Sequence, residues 1–148
     1  MLKFSECELG IKPFTALEPV ACCNDMIHGI VDRNREAIIR LVVGNADTER
    51  QVIDAVIDTG FTGFLTLLAV LTALGLEAYS REEGTLGDGS TCIFDIYSGF
   101  VIWDGAFRRI DINASEASPL VGMSSLYGYR VQFDAIEGGT VTIQFLSL

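Results

Sequence analysis

From residue 26 onward the chain reads as short, β-branched apolar runs separated by polar turns, the texture of strands with one face buried. Residues 27–31 and 37–44 (AIIRLVVG) are two such runs, parted by the turn Asp32-Arg33-Asn34-Arg35. A turn at 45–48 leads into residues 51–58 (QVIDAVID), where Val-Ile-Asp recurs after four positions. A helix would also give that recurrence. However, four of these eight residues are Val or Ile and the run stops at Thr59-Gly60, so a third strand is expected. On it, Val52, Asp54, Val56 and Asp58 share one face.

Residues 64–66 continue extended, and residues 67–74 (LLAVLTAL) predict a short helix stopped by Gly75. Two strands follow at 77–83 and 90–97, joined by the glycine-rich stretch 84–89, whose Asp88-Gly89 step is a hairpin-turn signal. A second hairpin is expected from 99–103 and 107–112, turning at Asp104-Gly105. Residues 119–122 form a compact apolar step, and residues 123–127 predict one helical turn. A third hairpin joins 129–135 to 140–146 across Glu137-Gly138-Gly139. Residues 1–25 carry no clear period and are interrupted by Pro13 and Pro19. The expected organisation is an N-terminal extension, 1–25, before one all-β domain, 26–148, with one or two short helices.

A chain of 148 residues fits one domain and needs no disulfide or metal to hold a core. Its apolar fraction of 49% is high, which points to apolar surface covered by a second copy. The net charge of -10 opposes nucleic-acid binding, which needs clustered Lys and Arg; Arg33, Arg35 and Arg40 alternate with acidic and apolar residues. Cys22 and Cys23 are adjacent while Cys7 and Cys92 stand apart, a pattern of reduced thiols rather than of a disulfide framework. The first residues carry Lys3, Glu6 and Glu8 with no apolar signal core. The longest apolar run, 64–76, is broken by Thr66, Thr72 and Gly75, whereas a membrane helix needs about 20 apolar residues. A cytoplasmic protein with neither nucleic-acid nor membrane partners is expected.

Candidate chemistry narrows quickly. His28 is the one histidine, too little for a Ser-His-Asp or Cys-His arrangement or a metal site, so no metal or cofactor is expected. The glycines at 84–89 lead into a strand rather than a helix N-terminus, so they form a hairpin tip and not a phosphate cradle. Carboxylates remain. Asp54 and Asp58 share a strand face but lie roughly 13 Å apart, beyond the ~5–9.5 Å over which two carboxyls act on one bond. A partner for Asp58 must come from elsewhere.

The apolar strand that runs into Asp58-Thr59-Gly60 resembles the active-site strand and loop of aspartic proteases. Pro119-Leu120-Val121-Gly122, followed by Met123-Ser124-Ser125-Leu126-Tyr127-Gly128, resembles that family's hydrophobic-hydrophobic-Gly element and the short helix after it. One hairpin lies between the two motifs, and the expected helix at 67–74 is similar to that of stand-alone cellular retropepsin-like domains. The resemblance spans roughly residues 26–146, its specific part being the two motifs. It implies a single-lobe acid-protease fold, β-barrel-like, active as a homodimer because the chain holds only one Asp-Thr-Gly.

By the same resemblance, Asp58, Thr59 and Gly60 would be the catalytic loop. Leu86, Gly87 and Asp88, at the tip of a flap spanning 85–90, would join Phe61 and Thr62 against a polypeptide substrate. Leu120, Val121 and Gly122 would support the active-site loop, with the terminal strand 140–146 as a candidate dimer contact. Two positions depart from the family. Phe61 stands where Ala or Ser is usual, and Thr62 replaces an acidic residue that helps hold the peptide backbone. A ring at Phe61 is expected to crowd the cleft floor or narrow a substrate pocket, which leaves a silent peptide-binding or scaffold module as the alternative.

Overall fold

Along the second strand Ile39 and Leu41 are buried on either side of exposed Arg40, and from Leu41 to Gly44 both faces are buried. The computed structural model describes residues 26–46, 49–68, 71 and 74–147, so the extension at 1–25 lies outside the described residues. Its strands are β1 (Met26–Val31), β2 (Ala37–Gly44), β3 (Arg50–Ile57), β4 (Leu65–Leu67) and β5 (Ala78–Thr85). They continue with β6 (Thr91–Trp103), β7 (Ala106–Ala114), β8 (Leu120–Val121), β9 (Tyr129–Phe133) and β10 (Thr140–Phe145). A single-turn helix, α1 (Met123–Leu126), separates β8 from β9. The fold is all-β.

The strands pair in the order β5-β6-β7-β4-β8-β3-β2-β1-β10-β9, and the first half of β2 pairs with β1 while its end pairs with β6. That extra pairing closes β2, β3, β8, β4, β7 and β6 into a barrel. Inside it sit Ile39 and Val43 of β2, Ala55 of β3, Leu65 of β4, Ile112 of β7 and Val121 of β8, each at or near zero exposure. Each such Val, Leu or Ile contributes about 1.5–3 kcal/mol by burial. β1, β10 and β9 extend the sheet on one side and β5 on the other. β10 is flanked by β1 and β9, so it has no free backbone edge; that edge belongs to β9.

Two expectations change. Residues 90–97 and 99–103 form one thirteen-residue strand, β6, rather than two. Gly99 marks close packing there, not a break: a Cβ would lie 2.7 Å from Ile112 Cδ1 and 3.3 Å from Leu76 Cδ1. Leu67 ends β4 instead of opening a helix, because it pairs with Ala114 of β7 and buries its side chain in the core. Of the expected helix, Leu71 is helical, with its amide donating to the Leu68 carbonyl at 3.1 Å. Residues 69, 70, 72 and 73 lie outside the described residues.

The turns follow their residues. Asp104 and Gly105 both take positive φ, 52° and 78°, which gives the tight turn whose twist suits a two-residue hairpin. At the tip of the β5–β6 hairpin the Leu86 carbonyl accepts from Gly89, whose φ is 87°, and the Ser90 carbonyl accepts from Leu86.

Candidate active site

Asp58 follows the last residue of β3, where the chain bends toward β4. β8 lies inside that bend. It is parallel to β3, with Val56 opposite Leu120 and Ile57 opposite Val121, and antiparallel to β4, with Leu65 opposite Val121. The Asp58 amide donates to the Val121 carbonyl at 2.9 Å, and the Val56 amide donates to Pro119 at 2.9 Å. On the far side of the bend, Gly122 donates to Phe64 at 3.0 Å and Met123 donates to Phe61 at 2.7 Å. The motif at 58–60 and the motif at 119–122 are therefore one structure, as their resemblance implied.

Gly122 has no room for a side chain. A Cβ there would stand 2.2 Å from the Gly63 carbonyl oxygen and 2.6 Å from Phe61 Cδ2. The Phe61 ring also covers Gly63, where a Cβ would meet Cζ at 2.5 Å. The ring is half-buried over Gly63 and Gly122, on the side of the loop that meets α1. Its first role is thus to pack the loop.

α1 secures the same loop from below. The Ser124 amide donates to Gly63 at 3.0 Å, and its hydroxyl donates to the Thr62 carbonyl at 2.6 Å. The Ser125 hydroxyl donates to Phe64 at 2.8 Å. Two residues not singled out from the sequence complete this brace. Buried Thr66 accepts from the Leu120 amide at 2.9 Å, and the one sign of it was a hydroxyl interrupting an apolar run. Arg108 of β7 donates from Nη1 to Ser125 at 3.0 Å and from Nη2 to Ser124 at 3.1 Å, meeting the carbonyls that end the helix. Its guanidinium lies 5.5 Å from the Phe64 ring centroid and 5.8 Å from that of Trp103.

Within this frame the Asp58 carboxylate is half-buried, and its Oδ1 accepts from the Gly60 amide at 2.8 Å. Thr59, Gly60 and Thr62 are exposed. Asp54 has another task, since Arg40 Nε donates to it at 2.9 Å on the outer face of β2 and β3. Asp58 makes no such ion pair among the described residues. Leu86, Gly87 and Asp88 sit together at the exposed tip of the β5–β6 hairpin. There Asp88 Oδ1 accepts from the Ser90 amide at 2.9 Å and from its hydroxyl at 2.6 Å, and this donation holds the carboxyl below its ordinary value.

The other candidates stand apart. His28 is exposed in the middle of β1, opposite Thr142 of β10. Cys92 is a free, exposed thiol. Cys7, Cys22 and Cys23 lie outside the described residues. Among the described residues, no three His, Cys, Asp or Glu side chains gather as a metal site, and no helix is long and apolar enough to cross a membrane.

No protein-family model and no curated protein matches this sequence. Among solved structures, the chain is similar to a retropepsin-like aspartic protease from Rickettsia conorii, with a TM-score of 0.51 and 15% sequence identity. The match covers 83% of this chain and 93% of that one. The fold, with β8 threaded through the bend that carries Asp58-Thr59-Gly60, is that of a single-lobe, retropepsin-like aspartic protease.

Proposed function

We propose that the chain, through its domain at 26–148, is an aspartic endopeptidase that acts as a homodimer and hydrolyses peptide bonds with two Asp58 carboxylates. The observation that carries this reading is the placement of Asp58 at the bend around β8, held by Val121 and by Gly60. The single protomer supplies one such acid, and Asp54 is paired elsewhere with Arg40. A two-fold axis beside Asp58 would bring its twin within hydrogen-bonding distance.

Two carboxylates ~4 Å apart repel by about 4 kcal/mol at an effective dielectric near 20. A pair so placed holds one proton between them across acidic to near-neutral pH. The ionised Asp58 takes a proton from a water held between the two, and that water attacks the scissile carbonyl carbon. The protonated Asp58 polarises the carbonyl oxygen and then protonates the leaving amine. Thr59, exposed beside the acid, hydrogen-bonds across the dimer and keeps the carboxylates coplanar. Gly60 brings its amide to Asp58, where a Cβ would come 3.2 Å from Oδ1. The hairpin tip with Leu86, Gly87 and Asp88 serves as the flap over a polypeptide substrate, and Thr62 borders the peptide from the loop side, with Phe61 packing the loop behind it. An exposed, unbridged Cys92 suits a reducing compartment such as the cytoplasm.

The test is cleavage of an unfolded polypeptide by the purified chain and by Asp58→Asn. Loss of cleavage with an unchanged circular dichroism spectrum supports the reading. Equal rates from both proteins contradict it, and no cleavage by either marks a silent module of the same fold.

A further inference from the structure

Glycine at position 63 is required by the Phe61 ring and not by the backbone. Gly63 does not take a left-handed φ, and the three atoms nearest to a Cβ there all belong to Phe61. They would lie at 2.5 Å, 2.7 Å and 3.4 Å, so every other neighbour stands at ordinary contact distance or beyond. Gly122 meets a different limit, because the Gly63 and Phe61 carbonyl oxygens crowd its Cβ position together with the ring. The ring therefore fills a slot between the loop and the end of β8 whose two walls are glycines.

The Phe61 backbone is fastened on both sides. Its amide donates to the Asp58 carbonyl at 3.2 Å, closing the turn that presents the acid, and its carbonyl accepts from Met123 at 2.7 Å. Asp58 in turn donates to Val121. The acid and the ring are thus the two ends of one short turn, and both ends are tied to residues 121–123. Between them Thr59 and Gly60 are exposed, so the half-buried ring is the side chain that wedges this turn against β8. Alanine or serine, usual here in the family, has no atoms to fill such a slot.

We propose that Phe61 is a positioning residue for the Asp58 pair, holding each acid-bearing turn against β8 so that the two carboxylates meet at a fixed separation. The inference rests on the paired-Asp58 reading, and the ring acts through Asp58 rather than on the peptide. The repulsion that makes the pair share one proton varies inversely with distance, so ~1 Å of slack on a ~4 Å pair weakens it by about a fifth. Loss of the ring then narrows the pH range over which the pair keeps a single proton. It also lowers turnover, because ~1 Å of misplacement costs up to about a hundredfold in rate. A ring that lined the peptide would act instead on KM.

The experiment compares the full chain with Phe61→Ala, Phe61→Leu, Gly63→Ala, and Gly63→Ala combined with Phe61→Ala. In cleavage of an unfolded polypeptide, Phe61→Ala should lose about tenfold or more in kcat while KM stays within about twofold, and the two limbs of its kcat pH profile should move together. Phe61→Leu, which refills part of the slot, should recover part of both effects. Amide exchange at Asp58 reads the same wedge without any turnover. Gly63→Ala should speed it, and the double variant should exchange no faster than Phe61→Ala alone, since the ring that the new methyl strikes is gone. A loss that lies in KM with kcat and both pH limbs unchanged, or a Gly63→Ala defect that the double variant keeps in full, would overturn the wedge. The paired-Asp58 reading would still stand if Asp58→Asn abolished cleavage. A wild type that cleaves nothing would overturn that pair, and with it the role of the ring in catalysis; Asp58 exchange unchanged by Phe61→Ala would then remove the wedge too.

Discussion

The amide of Asp58 donates to the carbonyl of Val121, so the acid at the end of β3 is placed by a strand that arrives far later in the chain. The close approach continues one residue on, where Gly122 leaves 2.2 Å between a would-be Cβ and the Gly63 oxygen. Gly122→Ala must therefore push β8 out of the bend. It should cost about 3 kcal/mol in urea unfolding and lower cleavage more than stability alone accounts for. An alanine variant as stable as the wild type would refute this packing.

Arg108 is the strut beneath the same bend, joined to the Ser124 and Ser125 carbonyls. Arg108→Met keeps much of the aliphatic stem but leaves both carbonyls without their charged donor. A loss of roughly 2 kcal/mol is expected by chemical denaturation. Arg108→Lys should recover only part of it, because one ammonium cannot reproduce the two-pronged geometry. Full recovery by lysine would show that charge alone mattered.

The hairpin tip should respond to acid. Ser90 donates to Asp88 and depresses its titration below the ordinary 3.8, so the contact stabilises the tip above that value and is lost as pH falls through the depressed one. Ser90→Ala should move the Asp88 carboxyl titration up toward 3.8 in an NMR series and speed amide exchange at residue 90. An unchanged titration would mean that the serine is not the cause.

At the base of that hairpin the Tyr79 hydroxyl donates to Asp111 of β7, a contact that raises the phenol above its ordinary 10.0. The neutral phenol is the form that donates, so the tie is intact below pH 10 and is lost only as pH rises through the raised value. Tyr79→Phe should speed amide exchange in β5 at neutral pH without changing it in β3. Equal exchange in β5 would show that the tie does not hold the hairpin down.

Sequence alone carried the parts whose signals are local. The β-branched run at 37–44 became β2 with those bounds, and Asp104-Gly105 turned as its left-handed residues require. The Asp-Thr-Gly and Leu-Val-Gly motifs met because each has its own pattern. What failed to show depends on distant partners. Gly99 reads as a break until Ile112 is seen against it, and Leu67 reads as helical until Ala114 pairs with it. Arg108 is indistinguishable from Arg109 in sequence, yet one reaches Ser124 and Ser125 while the other meets Ser98 on the adjacent strand. Phe61, expected in the cleft, packs on Gly63 and Gly122 because those glycines leave a flat surface for a ring.

The dependence of cleavage rate on chain concentration tests most directly whether two protomers build the catalytic centre. If each protomer contributes one Asp58, activity per chain should fall on dilution, and initial rates should approach the square of concentration once the dimer dissociates. Excess Asp58→Asn should then poison the wild type by forming mixed pairs. Rates strictly proportional to concentration through the monomeric range, untouched by the added variant, would contradict a shared centre.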